Sequence, residues 1–428
     1  MFKLLLTLLL INSFGFAQVK FEQYFLPKTL RVDFYETGNS TEKKIIFEFT
    51  KQEPYWAGSK INLIDTFNYG EYQYNVYDSV SDKLIFSRGY CTLFQEWKAT
   101  NEAKKETHSF YETATMPFPI KTIKFEIQAR NKNLVPMAIG FETIYTRYIN
   151  PNDMFLNTEI PNRYNWYYVV KNGGYNQKVD IVILPDGYTK DELKKFREDA
   201  KRFTGYLFNT SPFKENENKF NILAIDAISE ESGTDFPCEN IWKNTAISSN
   251  FYTFNIERYL TISDIKSMRN IASIVPYDHI IVLVNTKAYG GGGIYNFFSV
   301  VSSDNMFSEY VCVHEFGHAF AGLGDEYYDS DVAVENFYSF EKEPWEPNLS
   351  NLKNFSTKWK DLVSKDVPIP TPANEKYFGK VGAFEGAGYS AKGLYRPAYD
   401  CTMKSVSVDN FCPVCKRAIQ RMIDYYAK

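Results

Sequence analysis

The run Val313-His314-Glu315-Phe316-Gly317-His318 sets two histidines four residues apart, with a glutamate directly after the first. On an α-helix, positions i and i+4 stack on one face, so His314 and His318 can offer two nitrogens to one metal ion. Imidazole donors suit zinc, whose catalytic sites keep a position open for water. Glu315 sits about 100° round the helix from His314 by α-helical geometry, off the ligand face. It reaches instead the water at the open position, where a carboxylate acts as general base. The competing reading is a pair of satisfied core histidines. Against it, Val311, Cys312, Val313, Phe316, Ala319 and Phe320 make this helix apolar nearly all round, and therefore buried. Two imidazoles and a carboxylate buried together are costly unless something pairs with them, and a metal ion does.

The chain holds only four histidines, and none follows His318, so the natural third ligand is a carboxylate. Gly322 occupies the position that ends a helix in left-handed backbone geometry. Asp325 follows three residues later and is the expected ligand, with Glu326 its competitor; both are also able merely to brace the loop. A glycine followed at that distance by a ligand resembles the metzincin metallopeptidases, in which the chain turns at glycine and the ligand returns to the zinc. Here the glycine lies one residue further from the second histidine than in the usual metzincin pattern. The resemblance also implies a methionine turn beneath the metal. Met403, in Cys401-Thr402-Met403 just before a closing helix from about Cys412 to Tyr426, is the candidate for that floor. Tyr395, Arg396 and Tyr399 are the candidates to bind the oxyanion of a tetrahedral intermediate, with Tyr395 and Tyr399 taken as catalytic. Upstream, Gly290 to Gly293 and the run Ile294 to Val300 read either as the strand that the resemblance places on the rim of the cleft, its free edge pairing with an extended peptide, or as a flexible loop before a core strand.

These residues need a scaffold, and its pattern changes once along the chain. From about Phe21 to Arg147 the apolar period is two. Leu30 to Phe34 and Ile45 to Phe49 flank Gly38-Asn39-Ser40, which predicts a hairpin, and further strands are expected at Tyr72 to Tyr77, Ile120 to Ala129 and Met137 to Tyr145. This is the pattern of a β-sandwich. An Asn- and Pro-rich connector follows. Then Val179 to Leu184 is continuously apolar, as a strand buried on both faces should be. Thr189 with Glu192 forms a capping box opening a helix to about Phe208, and Phe220 to Ala227 and His279 to Val284 are further buried strands. Strand, helix and strand in this order indicate an α/β domain.

Of the 428 residues, 44% are hydrophobic and 23% charged, a balance that supports a sizeable core. A net charge of −4 with no basic run excludes nucleic acid as a partner. Lys3, the apolar run Leu4 to Ile11 and Gly15-Phe16-Ala17 have the layout of a cleaved secretory leader. That run is too short to span a bilayer, and no later segment is long and apolar enough to do so. Export permits disulfides among the six cysteines, but Cys412-Pro-Val-Cys415 has no second pair to complete a zinc ribbon and reads as structural.

Together Leu30-Arg31-Val32-Asp33-Phe34, Leu184-Pro185-Asp186-Gly187-Tyr188-Thr189, the zinc motif through Asp325-Glu326-Tyr327, Tyr395-Arg396-Pro397 and Cys401-Thr402-Met403 resemble the bacterial immunoglobulin-A metallopeptidase family, a metzincin-like group. The resemblance implies an α+β multidomain chain, an N-terminal β-sandwich followed by a metzincin-like α/β zinc peptidase domain. The expected division is a signal peptide at 1–17, the sandwich at 18–148, a linker at 149–165 and the catalytic domain at 166–428. The expected activity is that of a secreted zinc endopeptidase acting on protein or peptide. Immunoglobulin A itself is not implied as the substrate. The alternative is an exported protein- or glycan-binding module with a vestigial metal site, which has no need to retain the Glu315 carboxylate.

Overall fold

The structure is a computed structural model, and it describes residues 18–131, 140–160, 164–328, 337–408 and 410–427. The expected leader at 1–17 and Met137 lie outside the described residues.

After a single helical turn, α1 (Phe21–Tyr24), the chain enters β1 (Phe25–Gly38) and returns as β2 (Lys43–Glu53), with Gly38 opposite Lys43. The strands β3 (Tyr72–Asp78), β4 (Leu84–Tyr90), β5 (His108–Pro119), β6 (Ile123–Arg130) and β7 (Phe141–Ile149) complete two antiparallel sheets. Their orders are β2-β1-β5 and β4-β3-β6-β7. Leu30, Val32 and Phe34 from the first sheet meet Tyr74, Val76, Phe125 and Ile127 from the second in one core, the layered arrangement of a sandwich. The short helix α2 (Leu93–Trp97) interrupts the strands.

The polar face of β1 is covered too. Arg31 and Asp33 are fully buried, and the Arg31 guanidinium donates to Asp33, to Glu53 and, across to the second half of the chain, to Asn270 Oδ1 at 2.9 Å. The connecting segment is pinned in the same way: Asn157 donates to the Thr50 carbonyl and accepts from Gln52.

The second half is built on a six-stranded sheet of β8 (Trp166–Val170), β9 (Val179–Asp186), β10 (Phe220–Ile225), β13 (His279–Val284), β14 (Gly291–Ile294) and β15 (Phe298–Ser302), in the order β14-β15-β13-β9-β10-β8. A two-residue pair, β11 (Ser249–Asn250) and β12 (Thr261–Ile262), stands apart from it. The central strands run parallel, and the outermost, β14 and β8, run antiparallel to their neighbours. Every residue of β9 is buried, because helices cover both faces. On one face lie α3 (Leu193–Asn209), α5 (Ser308–Ala321) and α6 (Pro413–Tyr426); on the other lies α4 (Ile265–Ala272). The capping box forms as the spacing predicts, with Thr189 N–H donating to Glu192 Oε2 at 2.9 Å ahead of α3. A hairpin of β16 (Phe384–Ala387) and β17 (Ser390–Arg396) follows α5, well separated in sequence. No helix among the described residues is long and apolar enough to cross a membrane.

Candidate active site

The helix α5 carries His314, Glu315 and His318, and it ends at Gly322, whose φ of 63° is the left-handed geometry that favours glycine. Its amide caps His318, and the chain turns back so that Asp325 Oδ1 lies 3.0 Å from His314 Nε2 and 3.3 Å from His318 Nε2. The two Nε2 atoms are themselves 3.0 Å apart. The other ring nitrogens face carbonyls: His314 Nδ1 lies 3.1 Å from Thr402 O, and His318 Nδ1 lies 2.5 Å from Leu323 O. A carbonyl only accepts, so each Nδ1 donates to it and each Nε2 faces Asp325, where a proton or a metal ion pairs imidazole with carboxylate. Three ligand atoms thus converge on one point.

Charge follows geometry. Burial works against ionised Asp325, yet the His318 charge and the two imidazole contacts hold its carboxyl well below the ordinary value. Burial pulls His318 down, but Asp325 and Glu315 together lift it to about 9. For Glu315, burial outweighs the two histidines and raises the carboxyl above its usual range, the direction a general base requires.

The two carboxylates left open by spacing part company here. Asp325 faces the imidazoles, whereas Glu326 turns away from them and accepts from Asn348 Nδ2 at 2.9 Å. Asn348 also clasps Gly324 through both its amide atoms, which fixes the loop between them. Met403 is fully buried, and its sulfur lies under Gly317, where an added Cβ would come within 3.1 Å of it. Its carbonyl accepts from Glu326 N–H.

The structure does not bring Tyr395 or Tyr399 to the cavity in front of His314, His318 and Asp325. Tyr395 is paired with Ser350 through the backbone, and the Tyr399 ring stacks on Phe378 at 3.8 Å. Arg396 donates to the carbonyls of Glu385, Gly386 and Tyr399. The described cation lining the cavity is Arg258, set over the Tyr327 ring. Sequence reasoning missed it, as it missed Tyr389, whose hydroxyl donates to Asp325 Oδ2. Neither residue stands near the motif in the chain, and no local spacing singles them out.

The rim segment is a hairpin rather than one strand, β14 turning through residues 295–297 into β15, and the outer edge of β14 is not free at Gly291, which accepts from Leu260 N–H and donates to Arg258 O, both at 3.3 Å. The glycines instead let β14 lie against α5. A Cβ on Gly293 would stand 2.2 Å from the Glu315 carbonyl oxygen. The opposite wall comes from the sandwich half, where Thr92, Gln95 and Glu96 line the cavity and Glu96 Oε2 accepts from Tyr259.

A family model described as IgA Peptidase M64 matches residues 168–380 and 373–423, and one described as Peptidase M64 N-terminus matches residues 20–138. No curated protein matches the chain.

Proposed function

Since the chain belongs to the IgA Peptidase M64 family, whose members are metallopeptidases, and is itself a peptidase, we propose that it is a zinc-dependent endopeptidase with Glu315 as its general base. The observation that carries this reading is the convergence of His314 Nε2, His318 Nε2 and Asp325 Oδ1, with both Nδ1 atoms committed to backbone carbonyls. Asp325 Oδ1 is buried within 3.3 Å of both Nε2 atoms, yet makes no well-formed hydrogen bond among the described residues. A carboxylate oxygen held beside two imidazole nitrogens with nothing else paired to it is a good cation site. These three atoms would hold the zinc, which supplies Lewis acidity to the attacking water and the scissile carbonyl.

Glu315 faces the same cavity. Its carboxylate takes the proton of the attacking water and passes it to the leaving amine nitrogen, so that one group serves as base and then as acid. Arg258 is the positive charge on the cavity wall for the oxyanion, in the role the sequence suggested for Tyr395 and Tyr399. Met403 forms the floor, and the cavity between the two halves receives an extended protein or peptide. Export through the leader at 1–17 and the division into a sandwich at 18–148 and a catalytic domain at 166–428, joined by 149–165, belong to the same reading.

The test is metal content on the purified protein, with cleavage of an unfolded-protein substrate with and without chelator. Zinc bound at this site and chelator-sensitive cleavage are expected. Glu315→Gln should keep the metal and lose about 10²–10⁴-fold in kcat/KM. Undiminished cleavage by that variant would remove Glu315 from the mechanism.

A further inference from the structure

Behind Asp325, and sealed from the cavity, lies a second group of ligand-bearing side chains. Glu326, Cys401, Cys412 and Cys415 are all buried, and one ligand atom from each lies within 4.8 Å of the others. Glu326 Oε1 is 3.2 Å from Cys415 Sγ, and Cys401 Sγ is 3.9 Å from Cys415 Sγ. The second carboxylate oxygen, Glu326 Oε2, is buried without a hydrogen-bond partner among the described residues. Backbone amides point at the sulfurs. Cys412 N–H donates to Cys401 Sγ at 3.2 Å, and Cys415 N–H donates to Cys412 Sγ at 3.5 Å, with Cys412 standing as the N-cap of α6. Amide donors and a helix N-terminus both favour sulfur in its anionic form.

Three occupants are conceivable for such a cluster. Inert core thiols would explain the sulfurs, but not a bare carboxylate oxygen buried among them. A disulfide would join two sulfurs, requiring about 2.05 Å between them, and would leave the third sulfur and Glu326 as they are. A tetrahedral cation takes all four ligands at once. We propose that Glu326, Cys401, Cys412 and Cys415 form a second, closed metal site for a thiophilic divalent ion of the zinc class. The buried Arg396 guanidinium, whose charge acts on Glu326, offsets part of the excess negative charge.

The ion would tie together three segments that otherwise meet through apolar packing and hydrogen bonds: the Gly322–Glu326 loop, the Cys401–Met403 turn and α6. The first two carry groups on which the first site depends. Asp325 precedes Glu326, and Thr402, which orients His314, follows Cys401. The second ion is thus a brace for the first.

Cobalt separates the two sites, because thiolate ligands give intense near-ultraviolet charge-transfer absorption with Co²⁺ whereas imidazole and carboxylate do not. The full-length protein is purified without reductant, and its metal content, thiol count and cobalt spectrum are measured in wild type and in a His314→Ala/His318→Ala variant. Two ions per chain are expected in wild type and one in the double variant, with the charge-transfer band retained in both. Cys412→Ser should abolish the band. If that variant does not fold, Glu326→Gln should shift the band while keeping all thiols. A double variant that folds, takes up cobalt or none and shows no band would overturn the site, as would two thiols missing from the denatured wild-type protein. Failure of the first site would leave the band intact.

Discussion

Tyr389 sits in the turn between β16 and β17 and holds the loop that carries Asp325 in two ways. Its hydroxyl donates to Asp325 Oδ2, and its amide donates to the Tyr327 carbonyl while that of Gly388 donates to Asp325 O. Oδ1 is thereby left towards the imidazoles. Tyr389→Phe keeps the ring and the backbone bonds and removes only the hydroxyl, so zinc affinity should fall by about 10–100-fold in a chelator competition; an unchanged affinity would show that the hydroxyl does not orient the ligand. At this scale the sequence was readable where spacing does the work. His314, Glu315 and His318 follow from the pitch of one helix. The preference for Asp325 over Glu326 drew on the glycine spacing and the metzincin resemblance rather than on helical pitch, because beyond Gly322 the chain leaves helical periodicity and adjacent residues point to different sites. Tyr389 and Arg258 were invisible, since they join the site only through tertiary folding.

Elements show the same division. Continuous burial made β9 and β13 legible and alternation marked β1, β2, β3 and β6, whereas β4 and β5 went unassigned. The glycines of β14 were recognised as a close approach, but of strand to helix rather than of strand to substrate. Gly293→Ala would drive a Cβ into the Glu315 carbonyl. It should cost about 1–3 kcal/mol in urea unfolding and lower kcat/KM by displacing Glu315, and a neutral result would mean that the strand has room to move. The parallel neighbours β9 and β13 also begin on a pair of acids. Asp278 Oδ2 accepts from Asp180 N–H at 2.9 Å, and burial followed by the Asp278 charge pushes Asp180 up to about 8; burial raises Asp278 as well. The folded state therefore retains protons that the unfolded chain releases near pH 4. This contribution to stability is fully present below that pH and is lost as pH rises through the raised values, by at most about 1.4 kcal/mol per pH unit for each retained proton. Asp278→Asn keeps an acceptor for Asp180 N–H and should flatten the decline between pH 5 and pH 8 (both about) in denaturation midpoints. A slope equal to that of wild type would show that the pair does not govern it.

Over the whole molecule, the two halves share more than a connector. The sandwich lends Thr92, Gln95 and Glu96 to the cavity wall, and Arg31 reaches Asn270 on α4 from a fully buried position. Alternation along β1 identified a strand but did not reveal that its charged face is also interior, because Arg31 meets Asp33 and Glu53 only once folded. Arg31→Met would leave two carboxylates buried without their cation. A loss of about 3–5 kcal/mol in chemical denaturation is expected, with lower activity from a loosened cavity wall; a loss below about 1 kcal/mol would mean that the interface tolerates solvent there.

His314 leans on the Thr402 carbonyl, and Met403 and α6 close the core beneath it. Chains leave the ribosome from the amino end, and their early segments fold first. A nascent chain that already displays the His-Glu-x-x-His helix still lacks the carbonyl that orients its first imidazole. The order of the elements along the chain thus delays a finished active site until synthesis has passed Met403, so that the nascent peptidase is still unfinished when most of its chain has been made.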